Sequence, residues 1–238
     1  MSMTTTTTLA DVAATSLSAV RTLERHGLDY CCGGKQLFDD ACAAKGLKPE
    51  SVMQEIEQAQ GPGTSQRDWQ TAPLDEIVKH IVGTHHEYLK LELPTLGNRM
   101  DKVLSVHGSR DQQTLGRLAE VFGDLRAEME QHMRKEELML FPFIAQYGRA
   151  ETLGRPLPSV PFGSIANPIA VMEREHEGAG GALAEIRELT HGFEYPSYAC
   201  STVRALFDGL KALEADLHVH IHLENNILFP RATALEQR

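Results

Sequence analysis

Two histidine–glutamate pairs are the residues of this chain best suited to chemistry. His132 precedes Glu136 by four positions, and His220 precedes Glu224 by the same four. In an α-helix this spacing places the imidazole and the carboxylate one turn apart on the same face. Each pair interrupts an apolar stripe that would face a core, where polar groups without partners cost several kcal/mol. We therefore expect a metal ion to compensate both pairs.

The helices around these pairs repeat. The stripes consist of Leu118, Phe122, Leu125, Met129 and Leu140 in one case and of Leu206, Leu210, Leu213, Leu217 and Leu228 in the other. They lie 88 residues apart in the same register, and each is followed by Phe-Pro. If a helix pair was duplicated, the preceding helices must also correspond. His86-Glu87 and His176-Glu177 lie 46 and 44 residues ahead of His132 and His220, and satisfy that condition.

The duplication predicts one site with six side-chain ligands. These are His86, His132, Glu136, His176, His220 and Glu224. Imidazole and carboxylate ligands suit iron or manganese better than a structural zinc ion, for which thiolates are usual. Six ligands are too many for one catalytic ion and natural for two, with carboxylates and an oxo or hydroxo group shared between them. Two histidines for each ion would leave a position open for a small molecule.

The neighbours of these ligands allow more than one interpretation. His85 adjoins His86, and a helix stripe tolerates either of them as the ligand, although the phase of the repeat favours His86. Glu128 and Asp216 precede the two helix-paired histidines at a common offset. They are either acids that orient the imidazoles through hydrogen bonds or solvated acids at the rim of the stripe.

Other histidines and cysteines are expected to be structural. His218 and His222 are also four residues apart, but both fall off the apolar stripe, so we expect them to face solvent. Cys42 and Cys200 are expected to be packing residues.

Cys31 and Cys32 form a second chemical feature near the N-terminus, directly before Gly33 and Gly34. A disulfide between neighbours is strained, so the two are expected to be free thiols. They lie just ahead of a helical pattern, whose backbone N–H groups favour a thiolate. We interpret them as redox or iron-transfer thiols; the alternative is that small residues fill a tight turn.

The elements that must position these residues are helices. Amphipathic patterns predict four long helices at about residues 74–100, 112–141, 168–189 and 197–229, with a loop rich in Pro and Gly at 148–167. Strand-like alternation is nearly absent. Four helices with short and medium connections normally pack as a bundle. The fold class is therefore all-α, a four-helix bundle made from a duplicated helix pair.

Composition divides the chain into four parts. The threonine-rich residues 1–8 are expected to be a disordered tail. Residues 9–60 read as short helices and form a small helical domain that carries the cysteine pair. A segment rich in Gly and Pro marks 61–72 as a linker, and 73–238 forms the bundle.

Bulk properties exclude several classes of function. The 238-residue chain has a formal net charge of -10, which argues against a general nucleic-acid or anionic-membrane binder. No apolar run approaches the roughly 20 residues that a membrane-spanning helix needs, and the N-terminus lacks the features of a signal peptide. The four cysteines suggest no disulfide framework. We expect a cytoplasmic protein.

Taken together, the duplicated motifs resemble the hemerythrin-like fold, and the segment Asp29-Tyr-Cys-Cys-Gly-Gly34 resembles the small N-terminal domain of the di-iron iron–sulfur cluster repair proteins. The resemblance to this repair-of-iron-centres family covers nearly the whole chain after the threonine run. It implies a centre of two non-haem iron ions held by the six residues named above. Oxygen-carrying hemerythrins have a further histidine on the third helix, but this chain has Gly180 at that position.

The same resemblance implies a role in nitrosative and oxidative stress. The expected partners are nitric oxide and damaged iron–sulfur proteins or the cluster assembly machinery, and the expected action is repair by supplying iron. The sequence leaves two alternatives open. One is a nitric oxide scavenger or sensor; the other is a di-iron nitric oxide reductase, whose electrons would have to come from a partner or from the cysteine pair.

Overall fold

The computed structural model describes residues 7–59 and 68–238. Within these ranges, regular secondary structure is helical, apart from an isolated antiparallel bridge between Thr8 and Leu37. The all-α prediction is confirmed. No helix in the described ranges is long and apolar enough to cross a membrane.

The N-terminal region contains four short helices. They are α1 Leu9–Ala13, α2 Leu17–Arg25, α3 Phe38–Ala44 and α4 Pro49–Ala59. The sequence predicts a single helix over residues 10–25, but Ser16 interrupts it because its side chain accepts a hydrogen bond from the Ala19 N–H and caps α2. Thr8 forms a capping box with Asp11 and so belongs to α1. Residues 1–6 of the expected tail and most of the expected linker lie outside the described residues.

Four longer helices follow, which we name helices A to D. Helix A comprises α5 Leu74–His80, the π-helical segment π1 Ile81–His86 and α6 Glu87–His107; helix B comprises α7 Gln112–Lys135, π2 Glu136–Leu140 and α8 Phe141–Thr152; helix C is α9 Ala166–Leu189; helix D comprises α10 Ser201–Leu223, π3 Glu224–Leu228 and α11 Phe229–Glu236. Helix A packs against helix D, and helix B packs against both A and C. Their apolar stripes are buried in the bundle.

Helices B and D continue beyond their predicted ends near Phe141 and Phe229. The continuations are α8 and α11, each with a proline in its first turn, Pro142 or Pro230. Proline is tolerated there because the N–H that it lacks would have no partner within the helix. The repeated Phe-Pro motif therefore restarts each helix instead of ending it.

Each π-helical segment begins or ends at a candidate ligand. Helix A widens over π1, which ends at His86, and helices B and D widen from Glu136 and Glu224 onward. A wider turn shifts the side chains that follow it relative to an α-helical register, and such turns are frequent at functional sites. Here they lie at the same level of the bundle, where the candidate ligands meet.

The N-terminal region docks on helices C and D. Its apolar residues share one continuous core with α6, α7, α9 and α10. The Nδ2 of Asn226 on helix D donates to the carbonyl oxygen of Tyr30 over 3.1 Å. The Tyr30 ring makes an edge contact with His222, with ring centroids 5.4 Å apart. The solvent-facing prediction is therefore wrong for His222, which is 3% exposed, because the N-terminal region covers this face.

Candidate metal centre

The six predicted ligands converge in the bundle. All of them are 0% or 1% exposed, although every one is polar or charged. Their donor atoms form two groups in which all atoms lie within 4.8 Å of one another. One group contains His86 and His220, the other contains His132 and His176, and both contain Glu136 and Glu224.

The two glutamates connect the groups. Glu224 places Oε1 2.9 Å from Nε2 of His220 and Oε2 3.0 Å from Nε2 of His176. Oε2 of Glu136 lies 3.3 Å from Nε2 of both His86 and His132. Each carboxylate thus reaches both groups, as carboxylates do when they bridge two metal ions.

Hydrogen bonds on the far side of three imidazoles orient their inner nitrogens. Nδ1 of His86 donates to Glu137 over 2.8 Å, and Nδ1 of His132 donates to Glu175 over 2.9 Å. On helix C, Nδ1 of His176 donates to Oδ1 of Asn225 over 2.7 Å. In the neutral imidazole, an Nδ1 that carries the proton leaves a lone pair on Nε2, which here faces the centre.

This donor set fits two cations. Nε2 of His132 and Nε2 of His176 lie 3.0 Å apart, and the Nε2 atoms of His86 and His220 lie 3.3 Å apart. Within the described residues, neither oxygen of Glu136 has a hydrogen bond. Facing lone pairs and buried carboxylate oxygens without donors would be costly by themselves, and a cation between them removes that cost.

The carboxylates of the centre are ionised despite complete burial. Burial and the charge of Glu224 both act to raise the pKa of Glu136, but His132 and His86 outweigh them and lower it. The pKa of Glu224 lies well below its ordinary value because His220 and His176 outweigh the effect of burial. Burial opposes protonation of His132, yet the two glutamates raise its pKa to about 9. The centre therefore attracts positive charge.

The structure separates His85 from His86. His85 is buried beside the centre but belongs to neither group of ligands. Its Nδ1 donates to Oδ1 of Asp216 over 2.9 Å. Asp216 thus orients His85 and not His220, and Glu128 is an exposed acid. Neither acid orients the imidazole of a candidate ligand, which was one of the two interpretations of the sequence.

Sequence reasoning missed the groups that do orient the imidazoles. They are Glu137, Glu175 and Asn225, and each is adjacent in sequence to a candidate ligand. Glu137 and Asn225 follow Glu136 and Glu224 and occupy equivalent positions of the repeat. That equivalence was the available signal, but the bonds cross between helices, so only the packing reveals them.

The repeated Phe-Pro motif also acts on the centre. The Phe141 ring stacks on His86 with centroids 5.6 Å apart, and Phe229 stacks on His176 at 6.1 Å. Each phenylalanine therefore packs against the imidazole that the other helix of its pair supplies. This contact closes one side of the centre with apolar surface.

The cysteine pair consists of free thiols. Asp29 accepts hydrogen bonds from the backbone N–H groups of Cys31 and Cys32, over 3.2 and 3.0 Å. The Cys31 thiol donates toward Cys32, which lowers the pKa of Cys32; that contact and burial raise the pKa of Cys31. Cys32 is therefore the thiol that ionises more readily. Donor atoms of Asp29 and both cysteines form a third group that lies within 4.8 Å.

Cys32 lies against helix C beside the metal centre. Its Sγ is 3.6 Å from the backbone carbonyl oxygen of His176 and lines a cavity of about 1050 Å³. A Cβ atom added to Gly180 would lie 3.2 Å from this sulfur. The segment Asp29–Gly34, which we call the cysteine segment, thus lies close to helix C at Gly180. Oxygen-carrying hemerythrins have their additional histidine at this position.

The two glycines after the cysteines are required by close packing. A Cβ on Gly33 would lie 2.8 Å from the carbonyl oxygen of Asp29, and a Cβ on Gly34 would lie 2.6 Å from Oδ1 of Asn226. The tight-turn interpretation therefore accounts for the glycines. It gives no reason for two adjacent thiols that both line a cavity.

Two family models match the chain. A model described as the hemerythrin HHE cation binding domain matches residues 78–232, and ScdA_N, described as a domain of unknown function (DUF542), matches residues 5–60. Among curated proteins, the chain is 38% identical to the iron–sulfur cluster repair protein YtfE of Pectobacterium carotovorum, over 94% of this chain and 95% of that protein. It is 38% identical to YtfE of Citrobacter koseri, over 96% and 97% respectively.

Proposed function

The chain belongs to the family of iron–sulfur cluster repair proteins with a hemerythrin HHE domain, and we propose that it repairs damaged iron–sulfur clusters by supplying iron from a di-iron centre. The observation that carries this proposal is the pair of buried ligand groups that share Glu136 and Glu224. The two regions matched by family models support two domains with separate roles, a cysteine domain at 9–60 and a metal-binding bundle at 73–238.

The proposed ligands are the six residues of the two groups. His86 and His220 would hold one iron, His132 and His176 the other, and the two glutamates would bridge them. When bound, the irons supply redox chemistry and open positions at which nitric oxide binds. The protein contributes a buried, anionic pocket and fixed imidazoles. Nitrogen and oxygen ligands hold iron less tightly than a cage of thiolates, which suits a site that has to give up its metal.

The cysteine pair is proposed to receive iron or electrons. Cys32 has a lowered pKa, is half-buried and faces the cavity between the N-terminal region and the bundle. Asp29 and Cys31 lie close enough to share a cation with it. Four free cysteines also suit a reducing compartment, so we propose that the protein acts in the cytoplasm.

The proposal is tested with protein purified without oxygen. We expect about two irons per chain, an optical and Mössbauer spectrum of two coupled irons, a spectral change on adding nitric oxide, and recovery of a cluster enzyme inactivated by nitric oxide. Cys31→Ala with Cys32→Ala is expected to keep both irons and lose repair. Glu173→Gln, on the same helix as His176, is the matched control.

Three outcomes would contradict the proposal in different ways. Zinc or no metal in the purified protein would remove the di-iron centre. Tight nitric oxide binding without recovery of the enzyme would favour a scavenger. Sustained production of nitrous oxide with an electron donor would favour a reductase.

A further inference from the structure

The four imidazoles of the centre are not held equally. His86, His132 and His176 each donate from Nδ1 to a side-chain oxygen between 2.7 and 2.9 Å away. Among the described residues, Nδ1 of His220 has no hydrogen-bond partner, although this residue is 0% exposed. The group formed by His86 and His220 therefore contains the one imidazole of the four without an acceptor.

The repeat explains the missing acceptor. The residue before His176 is Glu175, which accepts from Nδ1 of His132. The residue before His86 occupies the equivalent position, but it is His85. Glu175 is also bonded by Lys135, whereas the position equivalent to Lys135 on helix D is the buried Leu223. The half of the centre around His220 has thus lost both the carboxylate and the cation that supports it.

His85 does not replace the missing carboxylate. Its ring lies parallel to that of His220, at an angle of 9° and with centroids 5.5 Å apart. Nδ1 of His220 and the buried Nε2 of His85 both lack a hydrogen-bond partner among the described residues, so no hydrogen bond joins the two rings. Nδ1 of His85 donates to Asp216 instead.

An acceptor behind a metal-bound imidazole fixes its orientation and raises its basicity, and removing one typically weakens metal binding about 10- to 100-fold. We propose that the two iron positions are unequal, that the iron bound by His86 and His220 is the exchangeable one, and that His85 is the positioning residue that makes it so. This inference rests on the proposed function and specifies which iron is supplied. The position bound by His132 and His176 is the retained one.

The test is the rate at which a chelator removes iron from the reduced holoprotein in the absence of oxygen. We expect two phases of one iron each, with rates that differ about 10- to 100-fold. A crystal structure of the half-depleted protein, with anomalous data at the iron edge, should show the remaining iron at His132 and His176.

Two reciprocal variants test the role of His85. In His85→Gln the amide can accept from His220 and still donate to Asp216, so the fast phase should slow about 10-fold or more. In Glu175→His the other half acquires the same defect, so the slow phase should accelerate by a similar factor. Glu175→Gln keeps an acceptor for His132 and should restore most of the slow rate, and Glu173→Gln should change neither phase.

Each result decides a separate question. A protein that binds no iron contradicts the proposed function itself. Two irons that leave in one phase, or a remaining iron at His86 and His220, overturn the inference and leave the proposed function standing. An unchanged fast phase in a fully loaded His85→Gln protein removes the role of His85. If that variant does not fold, the Glu175→His and Glu175→Gln pair still decides whether an acceptor controls the rate.

Discussion

The bundle consists of two equivalent halves, the helix pair A and B and the helix pair C and D. The halves place equivalent candidate ligands at equivalent positions, yet the residues beside those ligands differ. Glu137 orients His86, whereas the neutral Asn225 orients His176. Glu175 orients His132, whereas His85 leaves His220 without an acceptor. The proposed ligands have been kept through the duplication while their neighbours have diverged, so the comparison separates what the proposed metal ions require from what each half contributes beside them.

The outer faces of the two halves differ as well. Helix C has Gly180 where helix A has Lys90, and helix D has Asn226 where helix B has Leu138. Gly180 and Asn226 contact the cysteine segment. Lys90 instead bonds to Glu137, and Leu138 is 76% exposed. One half of the bundle has thus been adapted to receive the N-terminal region, and the other half has an open surface.

The shared glutamates should show the largest effect, because each of them belongs to both ligand groups. Glu136→Ala and Glu224→Ala each remove a carboxylate from both ligand groups. We expect each variant to lose the spectrum of two coupled irons and to bind iron more weakly by more than the roughly 100-fold expected for losing an orienting partner. Iron analysis and Mössbauer spectra measure this, and a variant with full iron content and an unchanged spectrum would contradict the bridging assignment.

The orienting residues should have a smaller effect that is confined to one ligand group. Glu137→Ala removes the acceptor of His86, and Asn225→Ala removes that of His176, so each should weaken one iron about 10- to 100-fold. Chelator titration with iron-edge crystallography identifies the affected position. If both variants weaken the same position, the equivalence of the two halves is wrong.

The sequence predicts the convergence of the six candidate ligands because helical spacing and the repeated stripes fix which side chains share a face. It also favours His86 over His85, and of these two only His86 lies in a group of candidate ligands, so its ligation stays a prediction. The sequence could not predict which side chains orient the imidazoles, because Glu137, Glu175 and Asn225 each bond to a histidine on a different helix. Burial of His222 was missed for the same reason, since the covering residue, Tyr30, comes from a distant part of the chain.

Docking of the N-terminal region should depend on one half of the bundle alone. Asn226→Ala removes hydrogen bonds to the carbonyl oxygens of Tyr30 and Cys31, over 3.1 and 3.3 Å, so we expect the free energy of unfolding to fall by about 1 to 2 kcal/mol. Leu138→Ala is the control at the equivalent position and should change it by less than about 0.5 kcal/mol. Urea unfolding of metal-free protein measures both, and equal losses would refute the asymmetry.

The smallest expected effect concerns two adjacent glycines of helix C, Gly180 and Gly181. Alanine in place of glycine inside a helix stabilises it by about 0.5 to 1 kcal/mol. Gly181→Ala should give this gain, because a Cβ there meets nothing within 4 Å. Gly180→Ala should give less, because its Cβ would press on the Cys32 sulfur at 3.2 Å, closer than ordinary van der Waals contact.

The difference between these two variants should disappear when Cys32 is replaced by alanine, because the sulfur that opposes the new methyl group is then gone. Urea unfolding of metal-free single and double variants closes this thermodynamic cycle. A coupling energy near zero would mean that the cysteine segment does not press on helix C in solution. A coupling of a few tenths of a kcal/mol or more would place the thiol against the helix turn that follows His176, where the other half of the bundle carries Lys90.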